Sequence, residues 1–282
     1  MIPDAAAGRQ FLRNARAAYE RNDWPAAIKF FQSALDAYGD NVPRGTSLWL
    51  RKAQRAQIAE DSLRKNKVIF RAVADPDKVI WIHPTHIRYK VRSSDKLNQN
   101  DILSGDWDLS RITIEEMLKF KSVVQRFGEG LNWEDTDLFQ HYAKQLREGT
   151  PVRRGKSILE LKAAYTATVD KLYNRIKSEG FILSMDRNQR ENDLPHVHIG
   201  RDGEILFGNG GNHRLSIARF LNLTRMPCVV HARHTLWQEL REEIFDRLSK
   251  SGEIYSPPEH VGHPDLDDLL ANADVTRRQD SI

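Results

Sequence analysis

The stretch Asn209-Gly210-Gly211-Asn212-His213-Arg214-Leu215-Ser216-Ile217-Ala218 decides how this chain is read. Two short β-like segments, His196–Gly200 and Glu204–Phe207, precede it and are joined at Arg201-Asp202-Gly203. The apolar spacing of Leu215, Ile217, Ala218 and Leu221 predicts a helix, and Met226-Pro227-Cys228-Val229-Val230 predicts another strand. The local order is hairpin, glycine turn, helix, strand. Paired glycines permit close approach of the backbone to a ligand, and a helix that starts there aims its amide hydrogens and the positive end of its dipole at the turn. His213 and Arg214 add donors suited to phosphate oxygens. The pattern matches neither the Walker nor the Rossmann spacing. An N-cap asparagine beside an ordinary Gly-Gly turn explains the same residues without any ligand.

Working outward, residues 170–235 resemble the nucleotide-binding core of the ParB/sulfiredoxin-like superfamily, on the strength of Gly210, Gly211, Asn212, His213 and Arg214, the helix after them and the Pro-Val strand. Sulfiredoxins carry Gly-Gly-Cys-His-Arg; Asn212 stands in the place of the cysteine, which argues against sulfinic-acid repair. Free serine kinases carry Gly-His-His-Arg, matched by Gly211, Asn212, His213 and Arg214 with one change. ParB proteins, which bind CTP, carry Gly-Glu-Arg-Arg, a poorer match. The resemblance implies that Gly210, Gly211, Asn212, His213 and Arg214 hold the phosphates of ATP or ADP, or of CTP, with Mg2+. It further implies phosphoryl transfer to a small hydroxylated acceptor. The alternatives are a CTP-dependent, DNA-associated switch and a scaffold that binds nucleotide without turnover.

Phosphoryl transfer needs charge neutralisation and a positioned acceptor, and magnesium is commonly held by phosphates, water and one or two carboxylates. The turn Gly105-Asp106-Trp107-Asp108 supplies the candidate carboxylates, so Asp106, Asp108 and His213 are the expected catalytic residues. A polar surface turn anchored by Trp107 is the plainer reading. Arg233 and His234 follow a strand, where substrate groups often meet α/β sites, and join the expected nucleotide contacts. His196 and His198 share a strand face, but with no companion ligand motif they read as strand histidines, and no metal site is assigned.

At the N-terminus, Phe11, Ala15, Ala18 and Tyr19 form one helical stripe, and Trp24, Ala27, Ile28, Phe31, Ala34 and Leu35 form a second. Their spacing looks like a tetratricopeptide unit, and a third helix is expected over Ser47 to Lys65. A long helix is expected from Ser157 to Glu179. Another is expected over residues 235–250, with Leu236, Leu240, Ile244 and Leu248 inward. The expected fold class is therefore α+β. Residues 1–67 form a tetratricopeptide-like module, 68–250 a ParB/sulfiredoxin-like domain with a helical insertion, and 251–282 a C-terminal loop and tail. That tail leaves little room for the helix-turn-helix domain of partition proteins.

The chain has 282 residues, 40% hydrophobic and 29% charged, with a net charge of +4. This composition suits globular domains with cores of their own. Residues 1–74 hold 13 Lys/Arg against 7 Asp/Glu, read first as a solvated helical face and only second as a nucleic-acid surface. The N-terminal helices are also a candidate surface for a protein partner. No run approaches a membrane span, and Met1 to Gln10 lacks a secretory pattern, so a cytoplasmic protein with no membrane contact is expected. The single cysteine, Cys228, excludes an internal disulfide and reads as core.

Overall fold

The computed structural model describes residues 4–76, 78–92, 94–150, 152, 155–183, 194–251 and 257–269. The fold is mixed α+β: N-terminal helices and a mixed sheet with helices. The chain divides into two compact units, one of residues 1–69 with 98–101 and one of residues 70–97 with 102–282.

In the first unit, α1 (Ala5–Glu20), α2 (Trp24–Tyr38) and α3 (Thr46–Ile69) pack in sequence order. Asp4 and Asp23 cap the first two helices through their carboxylates, and Pro25 presets the first turn of α2. Ala15, Ala18, Ala27 and Ala34 are fully buried, the small residues that let helix backbones close on each other. Tyr19 then packs edge-on against both Trp24 and Trp49. The expected stripes are thus the packing faces. Helix α3 runs four residues beyond Lys65, and Asn66 Nδ2 donates to the Asn100 carbonyl at 2.6 Å, joining residues 98–101 to this unit.

The second unit is built on a sheet of β1 (Val79–Ile82), β2 (Tyr89–Val91), β4 (Arg111–Thr113), β5 (His196–Ile199), β6 (Ile205–Phe207) and β7 (Met226–His234), in the order β1-β7-β5-β6-β2-β4. The short strand β3 (Asp101–Leu103) pairs with β7 off this path. The β5–β6 hairpin is antiparallel, while β7 returns parallel to β5 after the connecting helix α8 (Asn212–Phe220). Strand β7 is buried along almost its whole length, as an apolar strand covered on both faces should be. Cys228 lies in it fully buried, and burial pushes its thiol pKa well above the ordinary value. It is core and no nucleophile.

Two hydrophobic cores meet on α8. Leu215 and Ala218 belong to the sheet core with Val197, Phe207, Val230 and Trp237. Ile217 belongs to a second core with Trp133, Phe139, Leu161, Tyr165 and Val169. The second core is formed by α4 (Leu118–Phe127), α5 (Asp137–Arg147) and the long helix from Ile158 to Glu179. That helix is not uniform. Between α6 (Ile158–Tyr165) and α7 (Lys171–Glu179), residues Thr166–Asp170 adopt a π turn.

Two expectations are corrected here. Helix α9 (Thr235–Ser251) turns Leu240, Ile244 and Leu248 to the sheet core as expected, but leaves Leu236 half exposed and buries Trp237, Gln238 and Arg241. The helix follows directly on β7, so the strand sets its rotational phase, and an arginine occupies a buried position that periodicity assigns to an apolar residue. The segment after it is also more than a tail. Asp265 and Leu266 are completely buried, and Leu266 and Leu269 join the sheet core. The expected loop and tail outside residues 257–269 lie largely outside the described residues. Among the described residues, no helix is long and apolar enough to cross a membrane.

Candidate functional site

The glycine turn opens on a cleft of about 700 Å³. One wall is the turn itself, Asn209, Gly210 and Gly211, continuing into Asn212, His213 and Arg214 at the start of α8. Gly211 is the N-cap in the left-handed region, with φ +66°, and no side chain caps the helix. Asn212 turns back instead, donating from Nδ2 to the Asn209 carbonyl at 2.9 Å, while Asn209 Oδ1 accepts from Ser94 Oγ at 2.9 Å. The loop is held by its own asparagines, and the helix start borders the cleft.

The glycines have a second explanation that the sequence did not reveal. A Cβ on Gly210 would lie 2.4 Å from His196 Nδ1, and one on Gly211 would lie 2.6 Å from the Pro195 backbone. Both are therefore required by contact with the start of β5 and, at Gly211, by the positive φ. Close ligand approach is not needed to account for them.

The facing wall comes from residues that motif reading missed. The π turn and α7 contribute Thr168, Lys171 and Arg175, α4 contributes Lys119, and Tyr142 and Tyr165 complete it. Thr168, Lys171 and Arg175 fall at helical spacing on one side of their helix, a pattern that from sequence alone reads as a solvated face. π turns are often found at functional sites, and this one borders the cleft through Thr168 and Val169. The Tyr142 and Tyr165 hydroxyls lie 3.0 Å apart, and the Tyr165 ring meets His213 edge-on at 5.4 Å. Lys119, Lys171, Arg175 and Arg214 surround the cleft, and no Asp or Glu is among its described lining residues. Lys171 and Arg175 make no ion pair among the described residues.

The other expected site residues are placed elsewhere. Asp108 is buried and receives Arg201 Nε at 2.9 Å, Arg201 Nη2 at 2.7 Å and the Arg201 amide at 3.0 Å. Burial drives its pKa up, but these bonds and the guanidinium charge outweigh that and hold the carboxyl below its ordinary value. Asp106 accepts from Arg201 Nη2 at 2.7 Å, and the Trp107 indole donates to the Leu103 carbonyl at 3.1 Å. The plainer reading of this turn fits: it is anchored by Trp107 and its carboxylates serve Arg201. Neither Asp106 nor Asp108 lines the cleft.

Arg233 forms a two-pronged pair with Asp265, Nε at 2.9 Å and Nη2 at 2.6 Å. His234 pairs through Nε2 with the Gly105 carbonyl at 2.9 Å and accepts from the Leu236 amide at Nδ1. Those contacts fix its tautomer, with the proton on Nε2. Both residues are occupied by the fold, and the structure does not bring them to the cleft where they are expected as nucleotide contacts. The reason is the C-terminal segment: once Asp265 folds back, Arg233 at the end of β7 has an internal partner.

The cleft suits part of the cofactor set that the resemblance implies. Its cations and uncapped helix start match a phosphate chain. Its described lining residues include no carboxylate, so those residues do not fit a chain-held Mg2+. Comparison with protein-family models, with curated proteins and with solved structures finds no match to this chain.

Proposed function

We propose that the second unit binds a nucleotide, ATP or ADP, through its phosphate chain, in the manner of the ParB/sulfiredoxin-like proteins whose glycine motif it resembles. One observation carries this reading: Lys119, Lys171, Arg175 and Arg214 converge on a single cleft with a helix start and no acidic residue among its described lining. A bound anion relieves the mutual repulsion of cations gathered in one cleft. The cleft volume falls within the range of small-molecule sites, and Tyr142 and Tyr165 give it aromatic surface for a base. Replacing Arg214 by Ala is expected to weaken ADP or ATP binding at least tenfold, since a charge-assisted hydrogen bond contributes about 1.5–3 kcal/mol. Nucleotide-induced thermal shifts of the full chain measure this. A folded Arg214→Ala protein with unchanged affinity removes the reading.

A second reading, transfer of the terminal phosphoryl group to a small hydroxylated acceptor, has one observation in its favour. Of the residues expected to be catalytic, His213 borders the cleft, and an imidazole there is suited to take the acceptor's proton. Release of ADP from ATP that depends on an added polyol or hydroxy amino acid, and that disappears in His213→Gln, supports transfer. Binding without turnover across such a panel leaves a nucleotide-holding domain. The N-terminal helices, with their tetratricopeptide-like spacing, are proposed as the surface for a protein partner.

A further inference from the structure

We propose that this cleft takes its nucleotide as the metal-free anion, with chain cations standing where a magnesium ion otherwise balances the phosphates. The proposal rests on the nucleotide reading above and specifies the ionic form of the ligand. Magnesium at phosphate sites is held by one or two carboxylates together with phosphate oxygens and water. No described lining residue can supply that carboxylate. The acidic turn that might have done so is committed elsewhere, with Asp108 buried against Arg201 and Asp106 paired to the same guanidinium.

Positive charge is instead provided from three directions. Lys119 stands near the start of α4, Lys171 and Arg175 lie one turn apart on α7, and Arg214 sits in the first turn of α8. Among the described residues Lys171 and Arg175 meet no carboxylate, so their charge is left for the cleft. Cations held together in this way favour the most highly charged form of a ligand. A divalent ion on the phosphates removes part of that charge and occupies oxygens that lysine and arginine would otherwise reach. Mg2+ therefore competes with the site and does not complete it.

Calorimetric titration of the full chain with ADP, in excess EDTA and in excess magnesium chloride, tests this, with inorganic pyrophosphate in EDTA run alongside. The expected result is ADP affinity tighter in EDTA than in magnesium, and an affinity that is equal or weaker in EDTA overturns the proposal. Lys171→Ala and Arg175→Ala should each weaken the EDTA value about tenfold. Both positions are exposed on α7, so folding is expected to survive, and circular dichroism checks it. ADP binding that occurs only with magnesium overturns the proposal and leaves the nucleotide reading standing. Pyrophosphate that binds in EDTA as tightly as ADP removes the nucleotide reading and leaves a metal-independent anion site. Folded Lys171 and Arg175 variants that both keep full affinity overturn the charge assignment, and no heat with any ligand in either buffer overturns both readings.

Discussion

Around Asp265 the chain supplies both signs of charge, whereas the described residues lining the cleft at Gly211 supply only one. In the first region Arg233 and Arg241 are buried and close on Asp265 and Asp268, with Lys78 reaching Asp268 at 2.8 Å and the Trp237 indole donating to Asp265 at 2.9 Å. Burial alone would raise the Asp265 pKa, but Arg233 and Arg241 hold it far below the ordinary carboxylate value. In the second region Lys171, Arg175 and Arg214 border an open cleft with no acidic residue among its described lining. A self-neutralised cluster of this kind fastens the C-terminal segment to the sheet core. Lys171 and Arg175, which meet no carboxylate among the described residues, are placed to act on something outside the chain.

The strongest way to break the contrast is at Asp265. Asp265→Ala leaves two buried guanidinium groups short of their carboxylate, and removing one partner of a buried pair costs about 3–5 kcal/mol. Urea unfolding is expected to show a loss of that size, with ADP affinity unchanged in the protein that remains folded. A loss under about 1 kcal/mol would mean that the cluster does not fasten the segment, and the two regions would no longer differ in role.

A smaller effect sharpens the comparison through the histidines. His198 is almost fully buried beside the Trp107 ring, and neither of its ring nitrogens has a hydrogen-bond partner among the described residues. Burial, with a smaller contribution from His196, lowers its pKa from 6.5 to about 3. The unfolded chain takes up this proton near pH 6.5, while the folded chain resists it until about pH 3. The contribution to stability is therefore complete above pH 6.5 and is lost as the pH falls toward about 3, by up to about 1.4 kcal/mol per pH unit. His198→Leu is expected to flatten that part of the stability profile, measured by urea unfolding between about pH 7 and about pH 4. An unchanged slope would show that His198 is protonated in the folded state or lies exposed to water.

How much of this was readable in advance depended on how local each signal was. The hairpin, glycine turn, helix and returning strand were legible, because turn residues and apolar spacing act over a few positions. The same is true of the alanine-lined helix contacts at the N-terminus. Asp108 and Arg201 are separated by 93 positions, and nothing in either neighbourhood announces the pair. Arg233 is legible as a charged residue after a strand but not as the partner of Asp265, because the short acidic helix expected after Pro264 carries no local sign of where it packs. Lys171 and Arg175 were hidden for the opposite reason: charged residues at helical spacing are the commonest appearance of a solvated face. Gly210 and Gly211 were recognised as special, yet their contacts with His196 and Pro195 depend on strand placement that spacing does not encode.

The smallest expected effect is at Asp106, and it tests the contrast most directly. Its side chain is 79% exposed, and Arg201, its partner among the described residues, keeps Asp108 when Asp106 is lost. Exposed pairs of this kind contribute about 0–1 kcal/mol, so Asp106→Ala should shift the unfolding midpoint little and leave ADP affinity as it was. The variant matters because Asp106 is the carboxylate that sequence reading offers for catalysis and that the cleft lining omits. If Asp106→Ala abolished nucleotide binding or ATP turnover in a folded protein, a carboxylate would have to reach the cleft during the reaction. The turn after β3 would then have to move, and the cleft could no longer be described as a site of one sign.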